Sequence, residues 1–338
     1  MLKIGYIGNG KSTNRYHIPF VLQRDNIKIK TIYRRNPDND KWDSIPGVKY
    51  TSDINELLND EEIQLIVVCT HQDSHYEYAR MVLENNKHCL VEKPFMKTSK
   101  EAMEIFDLAK QKGLIVQTYQ NRRFDSDFLT VQKVIEEGKL GELFEIEMNF
   151  DYYRPEVPEN SKYNGANNSF LYGHGCHTID QVISYFGKPD NIHYDVRQLL
   201  GEGKMNDYFQ VDMFYGNLKV SVKSSYFRIK ERPSFVLYGK RGCFIKQTRD
   251  RQEEHLKLFY MPSNEDFGID NLMHYGELTY IDDDGTIHEE KVKSVNGDYG
   301  RVYDDLYNTI VNGKPKRIRD EETLLLMEIL EQGIKNLK

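Results

Sequence analysis

The sequence has few of the features that mark membrane, secreted or nucleic-acid-binding proteins. None of its apolar runs approaches the roughly 18 residues that a membrane-spanning helix needs, so we expect no membrane partner. The net charge of −7 provides no basic surface for nucleic acid. The four cysteines are far apart and form no C-x-x-C pair, which argues against a disulfide framework. The N-terminus lacks the layout of a signal peptide, and we therefore expect a cytoplasmic protein with reduced thiols.

The first third of the chain alternates short apolar runs with helical patterns. A length of 338 residues exceeds one ordinary core, which predicts two domains. Strands that alternate with helices predict a parallel sheet covered on both faces. Ser99 is the expected cap of one helix and Gly113 its expected stop. The predicted strands are 2–7, 27–33, 63–69, 87–92 and 114–119, and the predicted helices between them are 73–86 and 99–113.

The pattern changes after residue 123. In "FEIEMNFDYY" apolar and polar residues alternate, which predicts a strand with one buried face. Further strands follow, and one pair forms a predicted hairpin that turns at Asp284-Gly285. Helices are predicted near 128–138, at 174–186 and twice after residue 298. We therefore predict an α/β chain with a parallel-sheet domain over 1–123 and an α+β domain with a mostly antiparallel sheet over 124–338.

The stretch "GYIGNGKST" matches two nucleotide-binding motifs. Gly5, Gly10, Lys11 and Ser12 fit the phosphate loop G-x-x-x-x-G-K-[ST], whereas Gly8 and Gly10 fit the first half of the dinucleotide fingerprint G-x-G-x-x-G. A phosphate loop needs its first glycine after the strand, but Gly5 lies inside the apolar run. It also needs an aspartate at the end of a second strand, where "LIVVC" is followed by threonine and histidine. The sequence therefore favours the dinucleotide site.

This fingerprint departs from the pattern at its third glycine position, which is Thr13. Contact between the first helix and the first strand is expected to be looser there, and Pro19 predicts that this helix starts late or is broken. The second strand ends in "TIYRRNP", with Arg34 and Arg35 where an acidic residue would bind the ribose 2′-hydroxyl of NAD. Arginine instead accommodates a 2′-phosphate. We expect NADP to be preferred, with NAD possible, although both arginines could also be solvated surface charges.

Further along, the tripeptide Glu92-Lys93-Pro94 ends a predicted strand and resembles a family signature. Together with "YQNRRFD", "FDYYRP", "GHGCHTIDQVISYFGKP" and "GDYGRVYDDLYNTIVNGKP", it resembles the glucose–fructose oxidoreductase/inositol dehydrogenase/MocA (Gfo/Idh/MocA) family over almost the whole chain. Within that family, the chain most resembles a bacterial subgroup of uncharacterised members. The resemblance implies an N-terminal Rossmann domain and a C-terminal domain with an open sheet. It also implies a homodimer or homotetramer that packs through this sheet.

The resemblance implies roles for two residues. Lys93 matches the lysine that contacts substrate hydroxyls, where an ammonium can stabilise a developing alkoxide. His177 matches a histidine that acts as general base or acid. The family commonly has an aspartate four positions before this histidine, but this chain has Gly173. Asp180 could orient the His177 ring instead. Tyr172 or His174 could donate or shuttle a proton.

The remaining candidate residues form two sets and no metal site. The spacing of His174, Cys176 and His177 is poor for tetrahedral zinc. The cofactor set is Gly8, Asn9, Gly10, Lys11, Ser12, Thr13, Arg34, Arg35, Thr70, His71, His75, Glu92 and Lys93. The substrate set is Arg122, Tyr153, Arg154, Tyr172, His174 and Asp180, with domain-linking salt bridges as the alternative for Arg122 and Arg123.

These observations predict an NAD(P)-dependent oxidoreductase that acts on a sugar, a polyol or a related small molecule. The substrate is expected between the domains, over the carboxyl ends of the parallel strands. Two alternatives remain open at this point. One is a dinucleotide-binding sensor or scaffold without catalysis, which Gly173 favours. The other is an enzyme that uses tightly held NAD for glycoside cleavage without net turnover of the cofactor.

Overall fold

The structure, a computed structural model, describes residues 1–36, 41–156, 162 and 165–337. The chain forms two compact units, each made of three segments. The first unit contains Met1–Asn121, His255–Phe267 and Tyr299–Met327, and the second contains Arg122–Glu254, Gly268–Asp298 and Glu328–Lys338. The domain boundary after residue 123 stays a prediction. Packing assigns residues 255–267 and 299–327 to the first unit, which no local pattern of the sequence indicated.

A parallel sheet of six strands forms the centre of the first unit within the described residues, in the order β3-β2-β1-β4-β5-β6. This is the order of a doubly wound nucleotide-binding fold, in which ligands bind where the strand order reverses, next to β1 and β4. All four side chains of β4 are buried because both faces of the sheet are covered. The strands are β1 (Leu2–Ile7), β2 (Ile27–Tyr33), β3 (Lys49–Thr51), β4 (Leu65–Val68), β5 (His88–Val91) and β6 (Val116–Thr118).

The helices begin and end largely where capping residues predict. The fourth helix ends at Gly113, which has a φ of 65° and confirms the predicted stop. Its cap is Thr98 and not Ser99, because the Thr98 hydroxyl accepts a hydrogen bond from the backbone N–H of Glu101 at 3.1 Å. The helices are α1 (Ile18–Val21), α2 (Ile54–Leu58), α3 (His75–Glu84), α4 (Ser99–Lys112), α5 (Ser126–Glu136), α6 (Cys176–Phe186), α7 (Gln252–Lys257), α8 (Arg301–Asn312) and α9 (Asp320–Lys335).

The sheet of the second unit is mixed and mostly antiparallel, as predicted. Its eight strands, counted over the described residues, have the order β14-β13-β12-β11-β7-β10-β9-β8, and β7 with β10 is the parallel pair. The predicted hairpin is present between β13 and β14, where Gly285 has a φ of 90°. The strands are β7 (Leu143–Asn149), β8 (Asn191–Arg197), β9 (Tyr208–Tyr215), β10 (Leu218–Ser225), β11 (Phe235–Gly239), β12 (Gly242–Lys246), β13 (Gly276–Ile281) and β14 (Ile287–Val292).

Among the helices of the described residues, none combines the length and the apolar character that crossing a membrane requires.

Candidate active site

The two central strands of the first sheet approach closely just past their carboxyl ends. Gly8 follows β1 with a φ of 109°, and a Cβ atom there would lie 2.4 Å from the carbonyl oxygen of Cys69, the residue after β4. Only glycine fits this position. By contrast, Gly5 lies inside β1, and β4 is followed by Cys69, Thr70 and His71. The chain therefore turns at Gly8, as the dinucleotide hypothesis requires.

Thr13 occupies the third glycine position of the fingerprint. Thr13 is fully buried, and its hydroxyl donates a hydrogen bond to the carbonyl oxygen of Gly8 at 2.8 Å. The predicted break in the first helix is confirmed: helical turns begin directly after Gly10, but α1 itself begins only at Ile18. They are interrupted by a π-helical turn over Thr13–His17, and α1 follows with Pro19 in its first turn. Pro19 has no N–H for the ordinary bond to the residue four positions earlier, which accounts for the break.

Two clefts lie at the carboxyl edge of this sheet. A cleft of about 400 Å³ at the end of β2 is lined by four cationic side chains and the only tryptophan. A second cleft of about 460 Å³ lies between the ends of β1, β2 and β4. Arg35 lines both. The first is lined by Asn9, Gly10, Lys11, Arg34, Arg35, Asn36, Lys41 and Trp42, and the second by Ile7, Gly8, Tyr33, Arg35, Cys69, Thr70, His71, Asp73, Ser74 and Tyr78.

Glu92 of the Glu-Lys-Pro tripeptide is buried in a polar network of the first unit. Its carboxylate accepts hydrogen bonds from the Ser12 hydroxyl and from the backbone N–H of Lys93, the latter at 2.9 Å. The Nε2 atom of His17 lies 2.9 Å from the same carboxylate. Burial alone would raise the pKa of Glu92, but the hydrogen bond and charge of His17, helped by Lys93 and Ser12, lower it to about 2. Glu92 is therefore an anion that anchors the backbone of Lys93.

The network continues from His17 to the C-terminal part of the chain. The Nδ1 atom of His17 lies 2.7 Å from the Tyr303 hydroxyl, which lies 3.1 Å from the hydroxyl of Tyr6. The imidazole also stacks on the Tyr119 ring, with 3.9 Å between ring centres. His17 is thus fixed at both nitrogens and on one face. It connects the end of β5 to β1 and α8.

His75, a member of the predicted cofactor set, is buried between two loops and does not line either cleft. Its side chain is 1% exposed. The Nδ1 atom lies 3.0 Å from the carbonyl oxygen of Pro94, and the Nε2 atom lies 3.1 Å from that of Thr70. Burial lowers the pKa of His75. The side chain therefore connects the loop after β4 to the loop after β5, whereas Thr70 and His71 line the second cleft.

In the second unit, His177 lies in the first turn of α6 and is 5% exposed. A π-helical turn over Leu171–Gly175 precedes this helix. The half-buried ring of His174 packs among Phe150, Tyr152 and Phe170, with centres 5.5, 5.0 and 4.7 Å away. A Cβ atom at Gly173 would meet nothing within 4 Å. The chain therefore has room for the aspartate that the family commonly has at this position.

Two predicted substrate residues, Asp180 and Arg122, form ion pairs within the second unit, and a third, Tyr172, is buried. The Asp180 carboxylate accepts two hydrogen bonds from Arg123, both at 2.7 Å. Arg122 forms ion pairs with Asp125, at 3.2 Å, and with Glu253. These ion pairs lie within the second unit. With the predicted boundary after residue 123 they would join the two predicted domains, so the alternative of domain-linking bridges for Arg122 and Arg123 stays open. Tyr172 is 1% exposed.

Tyr153 and Arg154 lie on opposite faces of an extended segment. The backbone of residues 152–154 pairs with that of residues 226–228. Tyr153 is 53% exposed, and alternation along the extended chain separates it from its neighbours on either side. The Arg154 guanidinium lies 4.2 Å from the centre of the Tyr152 ring. Of these two predicted substrate residues, Arg154 shares a face with the aromatic rings around His174.

Sequence profiles of one oxidoreductase family match nearly the entire chain. "Oxidoreductase family, NAD-binding Rossmann fold" matches residues 2–120, and "Oxidoreductase family, C-terminal alpha/beta domain" matches residues 132–337. The chain belongs to the Gfo/Idh/MocA family. Residues 2–120 are therefore an NAD(P)-binding Rossmann domain, which confirms the predicted class of cofactor. That "GNGKST" contacts the dinucleotide stays a prediction.

Several relatives within the Gfo/Idh/MocA family match over nearly their whole length. The uncharacterized oxidoreductase YhhX of Escherichia coli is 47% identical, over 98% of this chain and 96% of the relative. The scyllo-inositol 2-dehydrogenase (NADP(+)) IolW of Bacillus subtilis is 31% identical, over 100% and 94%. The crystal structure of YhhX superposes with a TM-score of 0.94 over 99% of this chain and 97% of the other. An oxidoreductase from Bacillus cereus, 43% identical, superposes with a TM-score of 0.92 over 98% and 95%.

The residues of the first unit fit a nicotinamide dinucleotide of the kind that Gfo/Idh/MocA members bind. The glycine turn after β1 lets backbone approach a pyrophosphate. The two clefts continue from this turn along the carboxyl edge of the sheet. Among the described residues, no group of three or more histidine, cysteine, aspartate or glutamate side chains could hold a metal ion.

Sequence reasoning missed several members of this site. Lys41 and Trp42 line the first cleft, and His17 and Tyr303 hold Glu92 in place. Trp42 carried a usable signal, since it is the only tryptophan and follows a polar stretch after β2. His17 and Tyr303 carried none, because their partners are distant in sequence.

Proposed function

We propose that the protein is an NADP(H)-dependent oxidoreductase that moves a hydride between nicotinamide C4 and a carbinol or carbonyl carbon of a sugar or polyol. One observation carries the cofactor preference. Lys11, Arg34, Arg35 and Lys41 line the cleft at the end of β2, and no acidic side chain of the described residues lines it. A free ribose 2′-hydroxyl would favour a carboxylate there, whereas a 2′-phosphate gains charge-assisted hydrogen bonds from cations.

The substrate class is supported by likeness to relatives. IolW, 31% identical along its length, is named as an NADP(+)-dependent dehydrogenase of scyllo-inositol, which is a polyol. The inositol 2-dehydrogenase of Paracoccus denitrificans matches 40% of this chain at 29% identity. Both names describe oxidation of a ring hydroxyl. A polyhydroxylated substrate is the corresponding proposal for this chain.

Lys93 and His177 are the proposed catalytic residues. When bound, the dinucleotide would supply the nicotinamide ring that accepts or donates the hydride. The Lys93 ammonium would donate a hydrogen bond to the reacting oxygen of the substrate and stabilise alkoxide character. Its backbone is fixed by the buried Glu92 carboxylate. The His177 imidazole would take the hydroxyl proton during oxidation and return it during reduction.

The cofactor preference is tested by titrating NADPH and NADH while following the fluorescence of Trp42, the only tryptophan. We expect wild type to bind NADPH at least ~10-fold more tightly, which corresponds to about 1.4 kcal/mol. The double variant Arg34→Ala, Arg35→Ala should lose this preference. Lys28→Ala, an exposed change on β2, is the matched control. Equal or tighter binding of NADH by wild type would refute the preference.

The catalytic assignment is tested with Lys93→Ala and His177→Ala. Each should lower kcat on a polyol substrate by about 100-fold or more with nearly unchanged NADPH affinity. Lys100→Ala and His193→Ala change exposed residues and serve as controls. Wild-type kcat in the His177 variant would remove the histidine from the mechanism. A wild-type protein that binds NADPH but is inert on polyols, aldoses and ketoses would favour the sensor that Gly173 suggests.

A further inference from the structure

A cluster of aromatic rings in the second unit surrounds His174. We call Phe150, Tyr152, Phe170 and Tyr226 the aromatic shelf. The rings of Phe170 and Tyr226 are 4.4 Å apart between centres, and those of Phe150 and Tyr152 are 5.6 Å apart. All four shelf residues are at most 9% exposed. His174, three residues before His177, packs against three of these rings, so the shelf lies next to the segment that carries the proposed catalytic histidine.

Three guanidinium groups lie over shelf rings, those of Arg122, Arg154 and Arg249. The groups of Arg154 and Arg249 each lie over two rings. That of Arg154 is 4.2 Å from the centre of the Tyr152 ring and 5.8 Å from that of Tyr226. That of Arg249 is 4.5 Å from the Phe150 ring and 5.3 Å from the Tyr152 ring. Stacking on a ring uses the flat face of a guanidinium and leaves its N–H groups at the edge. The shelf therefore keeps these cations beside its rings by cation–π attraction, with N–H donors left for other partners.

The cations near the shelf differ in their ion pairs. Arg249 pairs with Glu231 at 2.7 Å, and Arg122, which lies 4.9 Å from the Phe150 ring, pairs with Asp125 and Glu253. Arg154 is exposed, and no carboxylate of the described residues forms an ion pair with it. Its positive charge therefore lacks the partner that Arg122 and Arg249 have.

A second cation lies on the same face as Arg154. The backbones of Tyr153 and Phe227 form an antiparallel β-bridge. Beside it, the backbone N–H of Arg228 donates a hydrogen bond to the carbonyl oxygen of Tyr152 at 3.0 Å. Directly opposite residues of an antiparallel pair share a face, so Arg228 lies on the face of Tyr152 and Arg154. Arg228 is exposed, and it too forms no ion pair with a carboxylate of the described residues. The shelf thus presents positive charge that the described part of the unit does not neutralise.

We propose that Arg154, with Arg228 beside it, binds an anionic group of the substrate, so that the protein acts on an acidic sugar or polyol in preference to a neutral one. This inference rests on the proposed oxidoreductase function. A carboxylate or a phosphate offers paired oxygens to the fork of an arginine, and the resulting hydrogen bonds are charge-assisted. Because Arg154 already lies against the Tyr152 ring, less side-chain entropy is lost on binding than for a freely rotating arginine.

The test compares three forms of one sugar. Initial rates with NADP are measured for glucose, glucuronate and glucose 6-phosphate, with wild type, Arg154→Gln and Arg197→Gln. Arg197 is the matched control, because it also stacks on a tyrosine ring, that of Tyr208 at 5.2 Å, but is paired with Asp195. A preference for glucuronate identifies a carboxylate as the bound group, and a preference for glucose 6-phosphate identifies a phosphate.

We expect one acidic form to exceed glucose in kcat/KM by about 10-fold or more. Arg154→Gln should reduce that ratio at least ~10-fold, mainly through KM, whereas Arg197→Gln should leave it unchanged. Preference for glucose over both acidic forms, or an unchanged ratio in Arg154→Gln, would overturn the inference while the oxidoreductase function stands.

A binding measurement keeps the inference testable if none of the sugars is oxidised or reduced. Glucuronate and glucose 6-phosphate are then titrated by calorimetry into wild type and Arg154→Gln. Binding of an acidic form that weakens at least ~10-fold in the variant would support the anion site even though the proposed reaction has failed. Equal binding by both proteins, or no binding by wild type, would reject the anion site.

Discussion

Each unit of the molecule contains a buried carboxyl group with a strongly shifted pKa, and the two shifts have opposite signs. Glu92, at 7% exposure, belongs to the first unit, and its pKa is lowered to about 2. Asp127, at 4% exposure, belongs to the second unit, and its pKa is raised to about 7. Because both are almost equally buried, burial cannot account for the difference.

The difference comes from the neighbours. Glu92 faces the imidazole of His17, the hydroxyl of Ser12 and the N–H of Lys93, all of which favour the charged form. Burial raises the pKa of Asp127, and the second carboxyl group of Asp250 raises it further. The charge of Lys246 lowers it, but that ammonium is bound to Asp270 at 2.8 Å. The first unit therefore holds an anion next to the backbone of Lys93, and the second contains a carboxyl group that favours its proton.

The largest expected effect comes from neutralising Glu92. Glu92→Gln should lower the free energy of unfolding by about 3 kcal/mol, because it removes one partner of a buried pair and leaves His17 facing an amide. Urea denaturation at pH 7 measures the change. Glu84→Gln is the control, since Glu84 is half exposed and pairs with Arg80 within one helix; its effect should be within about 0.5 kcal/mol. Equal effects of the two changes would mean that the network around Glu92 contributes no stability.

Much of the fold was predictable because local patterns reflect local physics. Buried parallel strands appear as apolar runs, and Gly8 and Gly113 occupy backbone conformations that favour glycine. The strand β3 and the helix α2 were missed, since they have three and five residues and little periodicity. Elements this short give weak signals.

The site was only partly predictable for a related reason. The motif positions of the cofactor set follow one another along β1, β2, β4 and β5, so the topology brings them to one edge. The contacts that tune them join distant residues: His17 and Glu92 are 75 positions apart, and His17 and Tyr303 are 286 apart. Asp180, whose carboxylate was predicted to orient His177, likewise pairs with Arg123, 57 positions away. No periodicity in a single sequence encodes such pairs.

The pH dependence of stability separates the two carboxyl groups. Glu92 contributes stability that is present above its unfolded pKa, near 4.3, and is lost as the pH falls toward 2. The contribution of Asp127 to the free energy of unfolding has the opposite pH dependence. Its folded form retains a proton that the unfolded chain releases above pH ~4, so this stability is lost as the pH rises through about 7.

Asp127→Asn should therefore raise the free energy of unfolding at pH 8 by at least about 2 kcal/mol relative to its effect at pH 4. Urea denaturation from pH 4 to pH 8 measures the slope. Asp283→Asn changes a carboxylate that is 95% exposed and should leave the slope unchanged. A slope that persists in Asp127→Asn would assign the buried proton to Asp250 and not to Asp127.

The smallest expected effect tests how far the network around Glu92 extends. Tyr303→Phe removes the hydroxyl that lies 2.7 Å from His17 and 3.1 Å from the hydroxyl of Tyr6. Loss of these two buried hydrogen bonds should cost about 1–2 kcal/mol of unfolding free energy at pH 7. Tyr307→Phe, on the same helix but half-buried, is the control. If Tyr303 acts by holding His17, its cost should largely disappear when Glu92 is already glutamine, because His17 then has no anion to face. Additive effects in the double variant would instead confine the electrostatic network to Glu92, His17, Ser12 and Lys93, and Tyr303 would contribute only its own hydrogen bonds.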